Sequence, residues 1–285
     1  MTNDYGNLEL HQVLLAAMKD IDRICRENGF RYFLHAGTLL GAMNHKGFIP
    51  WDDDVDISLF RSDYEKLCHI IQEQYPDKYF VQNYVTDPNY RNNRTVLRVL
   101  GTQVYYHHEH EAHEHCEIGV DLVPLDAAPD SGILRKFQQL AIWVFDAAVQ
   151  IKQGSIIPHH PVMKCIGLLS KMDRCRLGRI IDWFATLFNG QETEYVGLLT
   201  YTGKNPYTGR SGYENDMIRR KWTENPIMVP FEDTELMTIS DPEMDMVHRY
   251  GERWNEPYPE EKRITKHDVK SYEIGPEVRA RLKIS

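Results

Sequence analysis

The chain has 285 residues, 42% hydrophobic and 26% charged, proportions that exclude a disordered, collagen-like or coiled-coil protein and fit a folded one with a sizeable core. Its 33 Lys and Arg against 42 Asp and Glu leave a formal charge of −9. An acidic chain gains little from phosphate backbones, so no nucleic-acid partner is expected. No apolar run approaches the roughly 18 residues of a spanning helix, and Met1-Thr2-Asn3-Asp4 does not read as a signal peptide. Five cysteines without a CxxC pair read as reduced thiols. The expected location is cytoplasmic, with the inner membrane face as a further reading.

Leu10, Leu14, Met18, Ile21 and Cys25 recur at helical spacing, and Gly29 follows as a C-terminal cap. Tyr32–His35 reads as a short strand, and a turn or short helix starts at Gly37. Asp54-Val55-Asp56-Ile57-Ser58-Leu59 alternates polar and apolar residues with the period of a strand, so Asp54, Asp56 and Ser58 share one face. Ser62-Asp63-Tyr64-Glu65 has capping-box spacing and opens a helix. Further strands are expected over 79–85, 95–100, 103–107 and 118–125. From about 133 to 189 the pattern is helical, with apolar stripes such as Leu134, Phe137, Leu140, Ala141 and Val144, read as core packing plus a binding wall. In the Tyr- and Pro-rich C-terminal third, Asp241, Pro242 and Gly251 mark the start and end of one helix. The fold class is α+β. One domain is expected over 1–285: a sheet core at 1–130, a helical insertion at about 131–200, and a part at 201–285 that completes the site.

Asp52-Asp53-Asp54-Val55-Asp56 needs a physical explanation, because carboxylates repel one another and strands disfavour Asp. A solvated acidic turn would suffice, except that the run enters a strand whose other face is apolar. Alternate aspartates on one strand face lie about 6–7 Å apart, near enough to share a divalent cation. Mg²⁺ takes hard oxygen ligands and usually bridges carboxylates to phosphates. A Gly-Thr turn at Gly37 and Thr38 ahead of the strand points to phosphate chemistry. Asp121, a lone acid between apolar neighbours, is the candidate third carboxylate from an adjacent strand; an ion pair with an Arg such as Arg98 is the alternative.

Two segments, His35-Ala36-Gly37-Thr38-Leu39-Leu40-Gly41-Ala42 and His45-Lys46-Gly47-Phe48-Ile49-Pro50-Trp51-Asp52-Asp53-Asp54-Val55-Asp56-Ile57, resemble the signature of LicD-type phosphotransferases, relatives of the fukutin-type enzymes. Arg98 with Gly101-Thr102, Val120-Asp121-Leu122-Val123-Pro124-Leu125-Asp126, and Arg249-Tyr250-Gly251 followed by Pro257 and His267 resemble later family motifs. Asn44 and Val123 depart from the family pattern, in place of an Arg and a Phe.

The resemblance implies a nucleotidyltransferase (polymerase-β-like) mixed sheet with flanking helices. It implies transfer of a phospho-alcohol, with CDP-choline or another CDP-alcohol as donor, to a hydroxyl of a glycan or lipid-linked glycan, with CMP released. The implied Mg²⁺ (or Mn²⁺) ligands are Asp54 and Asp56, with Asp121 as third ligand or general base and Asp52 as outer ligand. Gly37, Thr38, Lys46, Arg98 and His267 are assigned to substrate. Transfer of NMP to a small acceptor, or glycan or choline binding on an inactive scaffold, are the alternatives.

Three other features carry weaker signals. His107, His108, His110, His113, His115 and Cys116 crowd one stretch with zinc-compatible spacing, or form a solvated hairpin. Trp51, Tyr201, Tyr207, Tyr213 and Trp222 are aromatics from which a cage for a quaternary ammonium could be built. Segments 133–151 and 174–188 are amphipathic and carry basic residues, so a peripheral membrane contact is a further reading.

Overall fold

The computed structural model describes residues 5–107, 115–263 and 269–284. Helix α1 (Leu8–Asn28) buries the face carrying Leu10, Leu14, Met18, Ile21 and Cys25, and Gly29, at φ 69°, ends it with its N–H on the Arg26 carbonyl. Each buried aliphatic side chain on this face contributes about 1.5–3 kcal/mol.

Then come β1 (Tyr32–Leu34), α2 (Ala36–His45), β2 (Asp56–Phe60), α3 (Arg61–Gln74), β3 (Tyr79–Gln82), β4 (Thr95–Val99), β5 (Thr102–Tyr106) and β6 (Gly119–Ala128). The sheet order is β1-β2-β6-β4-β3. Strands β2 and β6 run parallel, whereas β1–β2, β6–β4 and β4–β3 are antiparallel. The sheet is therefore mixed, and its central parallel pair sets two strand starts side by side.

Two expectations are corrected here. The strand expected from Asp54 begins at Asp56, so Asp54 lies in the preceding loop, and Ser58 is buried with its hydroxyl donating to the Phe33 carbonyl at 3.2 Å. The capping box at Ser62 does not form: α3 starts at Arg61, with Phe60 at the N-cap and no side-chain cap. Arg61 instead grips Asp126 near the end of β6 through two hydrogen bonds of 3.0 and 2.5 Å. That grip fixes the helix start without a capping hydroxyl.

Helices α4 (Gly132–Lys152), α5 (Pro161–Leu169) and α6 (Arg174–Thr186) have their own core, in which Ile142, Ala148, Ile166, Leu177 and Ile181 pack together. Buried Gln138 donates to the Phe184 carbonyl at 2.8 Å and accepts from the Tyr213 hydroxyl at 2.6 Å, so its polar ends are both used. The apolar stripe divides: Leu134, Phe137 and Leu140 are exposed, Ala141 and Val144 are half-buried with Val144 against the helical core, and Gln138, Ile142 and Val149 are buried. Helix α4 is apolar on more than one face, and periodicity alone cannot choose between them.

The remaining elements are β7 (Tyr195–Gly197), α7 (Gly212–Asn215), β8 (Met217–Arg219), β9 (Ile227–Phe231), β10 (Thr234–Thr238), α8 (Pro242–Tyr250), β11 (Val269–Ile274) and α9 (Pro276–Leu282). Strand β7 pairs with the far end of β6 and with β8, β9 and β10 form a hairpin, and β11 pairs with β5. Helix α8 has the expected boundaries: the Asp241 side chain accepts from the Met244 N–H, Pro242 opens the first turn, and Gly251 closes it. The whole is a mixed α/β architecture. No described helix is long and apolar enough to cross a membrane.

Candidate active site

Strand register is the first determinant of the site. Asp56, the first residue of β2, lies opposite Asp121 on β6, and the Asp121 N–H donates to the Val55 carbonyl at 2.8 Å. In-register neighbours on adjacent strands point to the same face, so the sheet brings together carboxylates 65 positions apart in sequence. The loop before β2 adds Asp52, Asp53 and Asp54, which bring one carboxylate oxygen each to within 4.8 Å of one another. Asp53 was not among the expected ligands, although it belongs to this convergent group.

Helix α2 holds the acidic loop in place. The Asp56 N–H donates to the Thr38 hydroxyl at 2.8 Å, and the His35 N–H donates to the Asp56 carbonyl at 3.1 Å. Thr38 is thus committed to anchoring the head of β2. Gly37 makes room for the loop, since a Cβ there would sit 3.2 Å from Asp52 Oδ2. From the other side, Asn7 and His11 both bond to the Asp52 carbonyl, at 3.1 and 2.8 Å. Gly47 fits the turn after α2 for a steric reason: a Cβ would collide with the Glu232 carboxylate, which accepts from the Phe48 N–H.

Burial, then repulsion from Asp54 and Asp121, pushes the Asp56 carboxyl up to about 7, against the pull of Arg94 and His35. Asp56 thus sits among carboxylates. Arg94 is one positive group beside them: its guanidinium lies 2.6 Å from Asp121 Oδ2. Burial works against the Arg94 charge, but Asp121, Asp56 and Asp54 outweigh it and hold the group protonated.

Two cavities meet at this arginine. One of about 310 Å³ is lined by Asp53, Asp54, Asp121, Arg94 and Arg98, and the other, about 170 Å³, by Asp56, Arg94, His35, Tyr201 and Asp216. Under the second runs a buried ionic chain in which Arg249 binds both Asp216 and Asp245, and His35 Nε2 lies 3.6 Å from Asp216 Oδ1.

Several expected residues fall into place differently. Asp121 pairs with Arg94, not Arg98; the latter donates to Gln82 Oε1 at 2.7 Å and to the Glu117 carbonyl at 2.8 Å while lining the larger cavity. Lys46 is the left-handed C-cap of α2, with its side chain exposed. Asn44 donates to the Trp254 carbonyl at 3.4 Å. His267 lies outside the described residues, as do 108–114 of the histidine-rich stretch. Of the ends of that stretch, His107 is exposed, His115 stacks on Phe80 with centroids 4.0 Å apart, and Cys116 is buried.

The aromatics divide in the same way. Tyr213 and Trp222 are buried in cores, and Tyr201 lines the cavity at Asp56. Trp51 and Tyr207 line a third cavity of about 650 Å³, where Trp51 stacks on Tyr258 and the Arg263 guanidinium sits 5.2 Å from the Trp51 ring centre.

Sequence reasoning missed Arg94 and Asp216. Arg94 ends an irregular run of polar residues and carries no periodic signal. Asp216 precedes a three-residue strand, too short to read.

Residues 29–137 match the family model described as LicD/FKTN/FKRP, nucleotidyltransferase domain. The chain is similar to the lipopolysaccharide cholinephosphotransferase LicD of Haemophilus influenzae, 38% identical over 66 residues, which is 22% of this chain and 25% of that protein. An uncharacterized protein of Rickettsia prowazekii is 39% identical over 66 residues, 23% of each chain. The human ribitol 5-phosphate transferase FKRP is 51% identical over 35 residues, 12% of this chain and 7% of FKRP. The match thus spans about a quarter of the two bacterial relatives.

Proposed function

We propose that this chain, which carries a LicD-family domain over residues 29–137, is a metal-dependent transferase that moves a phospho-alcohol from a CDP-linked donor to a glycan hydroxyl and releases CMP. CDP-choline is the donor assigned first, because the Haemophilus relative is a cholinephosphotransferase by name. The polymerase-β-like fold belongs to the same reading, supported by a mixed sheet whose central parallel strands carry the acids. The observation that carries the proposal is the register of Asp56 against Asp121, with Asp52–Asp54 beside them and Arg94 between two cavities.

The donor set fits a hard divalent cation, being all carboxylate. Asp54, Asp56 and Asp121 would hold Mg²⁺ or Mn²⁺, with Asp52 and Asp53 behind them; the ion neutralises phosphate oxygens when bound. Phosphoryl transfer needs positioning and charge neutralisation more than covalent chemistry. Arg94 lies where it can meet the oxygens of the transferring phosphate from either cavity, and Arg98 adds charge in the larger one.

In the reaction the acceptor hydroxyl oxygen forms a bond to the phosphorus carrying the alcohol. The bond from that phosphorus to the oxygen bridging to CMP breaks, and CMP leaves with the electron pair. The hydroxyl proton passes to a carboxylate of the site, Asp121 being that base where it is not the third metal ligand.

Incubation with CDP-choline, CTP or ATP, Mg²⁺ and a glycolipid extract as acceptor source tests the reading. CMP from CDP-choline supports it. Pyrophosphate from CTP or ATP, with no CMP, points to NMP transfer instead.

A further inference from the structure

Helices α4 and α6 present an apolar surface that no described residue covers. Ile133, Phe137 and Leu140 repeat at helical spacing along the outer side of α4 and are 82, 53 and 58% exposed. Trp183 and Leu187 do the same at the end of α6, with Trp183 58% exposed. The stripes join through Phe184, whose ring lies 6.1 Å from Phe137 and 4.8 Å from Trp183. Scattered exposed apolar residues are ordinary, but a contiguous patch of this kind marks an interaction site.

Charge identifies the partner. Residues 131–190 hold eight Lys and Arg, three Asp and no Glu, a local excess of +5 in a chain whose total is −9. Lys136 lies beside Phe137, and Arg176 and Arg179 continue the Trp183 stripe toward the start of α6; all three are exposed. The acids of this segment are engaged elsewhere or lie at a helix start: Asp182 accepts from Tyr84 and Asn93, Asp146 from Gln150, and Asp173 caps α6. A second copy docking through the same face would bring a basic patch to a basic patch. An anionic surface with an apolar interior satisfies both features at once.

We propose that the α4–α6 face docks the protein onto an anionic lipid bilayer, with Ile133, Phe137, Leu140 and Trp183 inserted at the level of the head groups and Lys136, Arg176 and Arg179 set against lipid phosphates. Trp at the interface with Lys and Arg alongside is the chemistry such boundaries favour. No described helix is long and apolar enough to cross, and the contact proposed is a peripheral one. The docking does not rest on the reaction assigned above, and its test reads no activity.

The probe is co-sedimentation of the full chain with vesicles of phosphatidylglycerol and phosphatidylcholine, and with vesicles of phosphatidylcholine alone. Binding is expected to the anionic vesicles and to weaken with salt. Phe137→Ser with Trp183→Ser should abolish it at unchanged melting temperature, since both side chains are exposed. Lys136→Glu and Arg179→Glu should each weaken it by roughly fivefold or more, the scale of one basic residue at an anionic surface. Equal binding by the Phe137/Trp183 double variant would overturn the proposal. So would no binding to the anionic vesicles, and a dimer seen by sedimentation velocity that the double variant dissociates would then assign the face to a second copy of the chain.

Discussion

Asp56 and Asp121 stand directly opposite each other on parallel strands β2 and β6, and the backbone bond from Asp121 N–H to the Val55 carbonyl locks that register. A one-residue slip would send Asp121 to the other face of the sheet. The pair is therefore held by the fold itself. Asp56→Asn should cut turnover by at least ~10²-fold, the scale of losing a positioned catalytic group, with little change in melting temperature because the Asn is isosteric. Normal kcat in this variant at limiting Mg²⁺ would remove Asp56 from the mechanism.

Arg94 pairs with Asp121, and in the proposed reaction it also meets the phosphates of the donor. Arg94→Ala should lower kcat by about 10²–10³-fold if it meets the transferring phosphate, as losing one preorganised donor does. If it only neutralises Asp121, Arg94→Leu should destabilise the fold, and Asp121→Asn on top should partly restore it. Melting temperatures and kcat for the singles and the double separate the two roles.

Asp126 is a structural prediction at the far end of the same strand. It is buried, takes two hydrogen bonds from Arg61 and one of 2.8 Å from Asn189. Asp126→Ala leaves the buried Arg61 charge with Asp182, 3.6 Å away, as its remaining carboxylate among the described residues, and should cost about 3–5 kcal/mol. Urea unfolding measures this; a change below 1 kcal/mol, well under that range, would show that Asp182 is sufficient.

Acid titration separates the ionic chain below the smaller cavity. Burial alone would raise the Asp216 carboxyl, but Arg249 and His35 outweigh it and hold its pKa below the ordinary value. A depressed carboxylate stabilises the fold above its unfolded pKa of about 3.9, and that stability is lost as pH falls through the folded value. Asp216→Asn should thus melt lower than the unsubstituted protein at pH 7, and the gap should close as pH drops below about 4. A gap independent of pH would show that the Asn replaces the carboxylate only in shape.

Much of this site is legible in the sequence, because it is built from local signals. Polar–apolar alternation around Asp56 places a strand within two residues of its observed start, and the Gly37-Thr38 turn falls at the helix that anchors it. Asp121 is legible because a lone acid in an apolar strand needs a partner. Its partner is not, since Arg94 and Arg98 are both near β4 and only the sheet register and the exit of the chain decide which one arrives. Thr38 shows the reverse limit: its identity is conspicuous, but its role, bonding the Asp56 N–H, needs the three-dimensional path of the loop. On α4, the choice of inward face was settled by packing against α6, with Gln138 bonding the α6 backbone, and no polar residue in the sequence advertises that role.

Mn²⁺ binding followed by electron paramagnetic resonance tests the central claim most directly, because it needs neither donor nor acceptor. The account predicts that the unsubstituted protein takes up Mn²⁺, that Mg²⁺ competes for it, and that Asp56→Asn and Asp121→Asn each weaken the affinity at least about tenfold, roughly the loss of one charge-stabilised ligand at 1.4 kcal/mol. Unaltered Mn²⁺ affinity in both folded variants would contradict it, and would make the paired carboxylates of β2 and β6 something other than a metal centre.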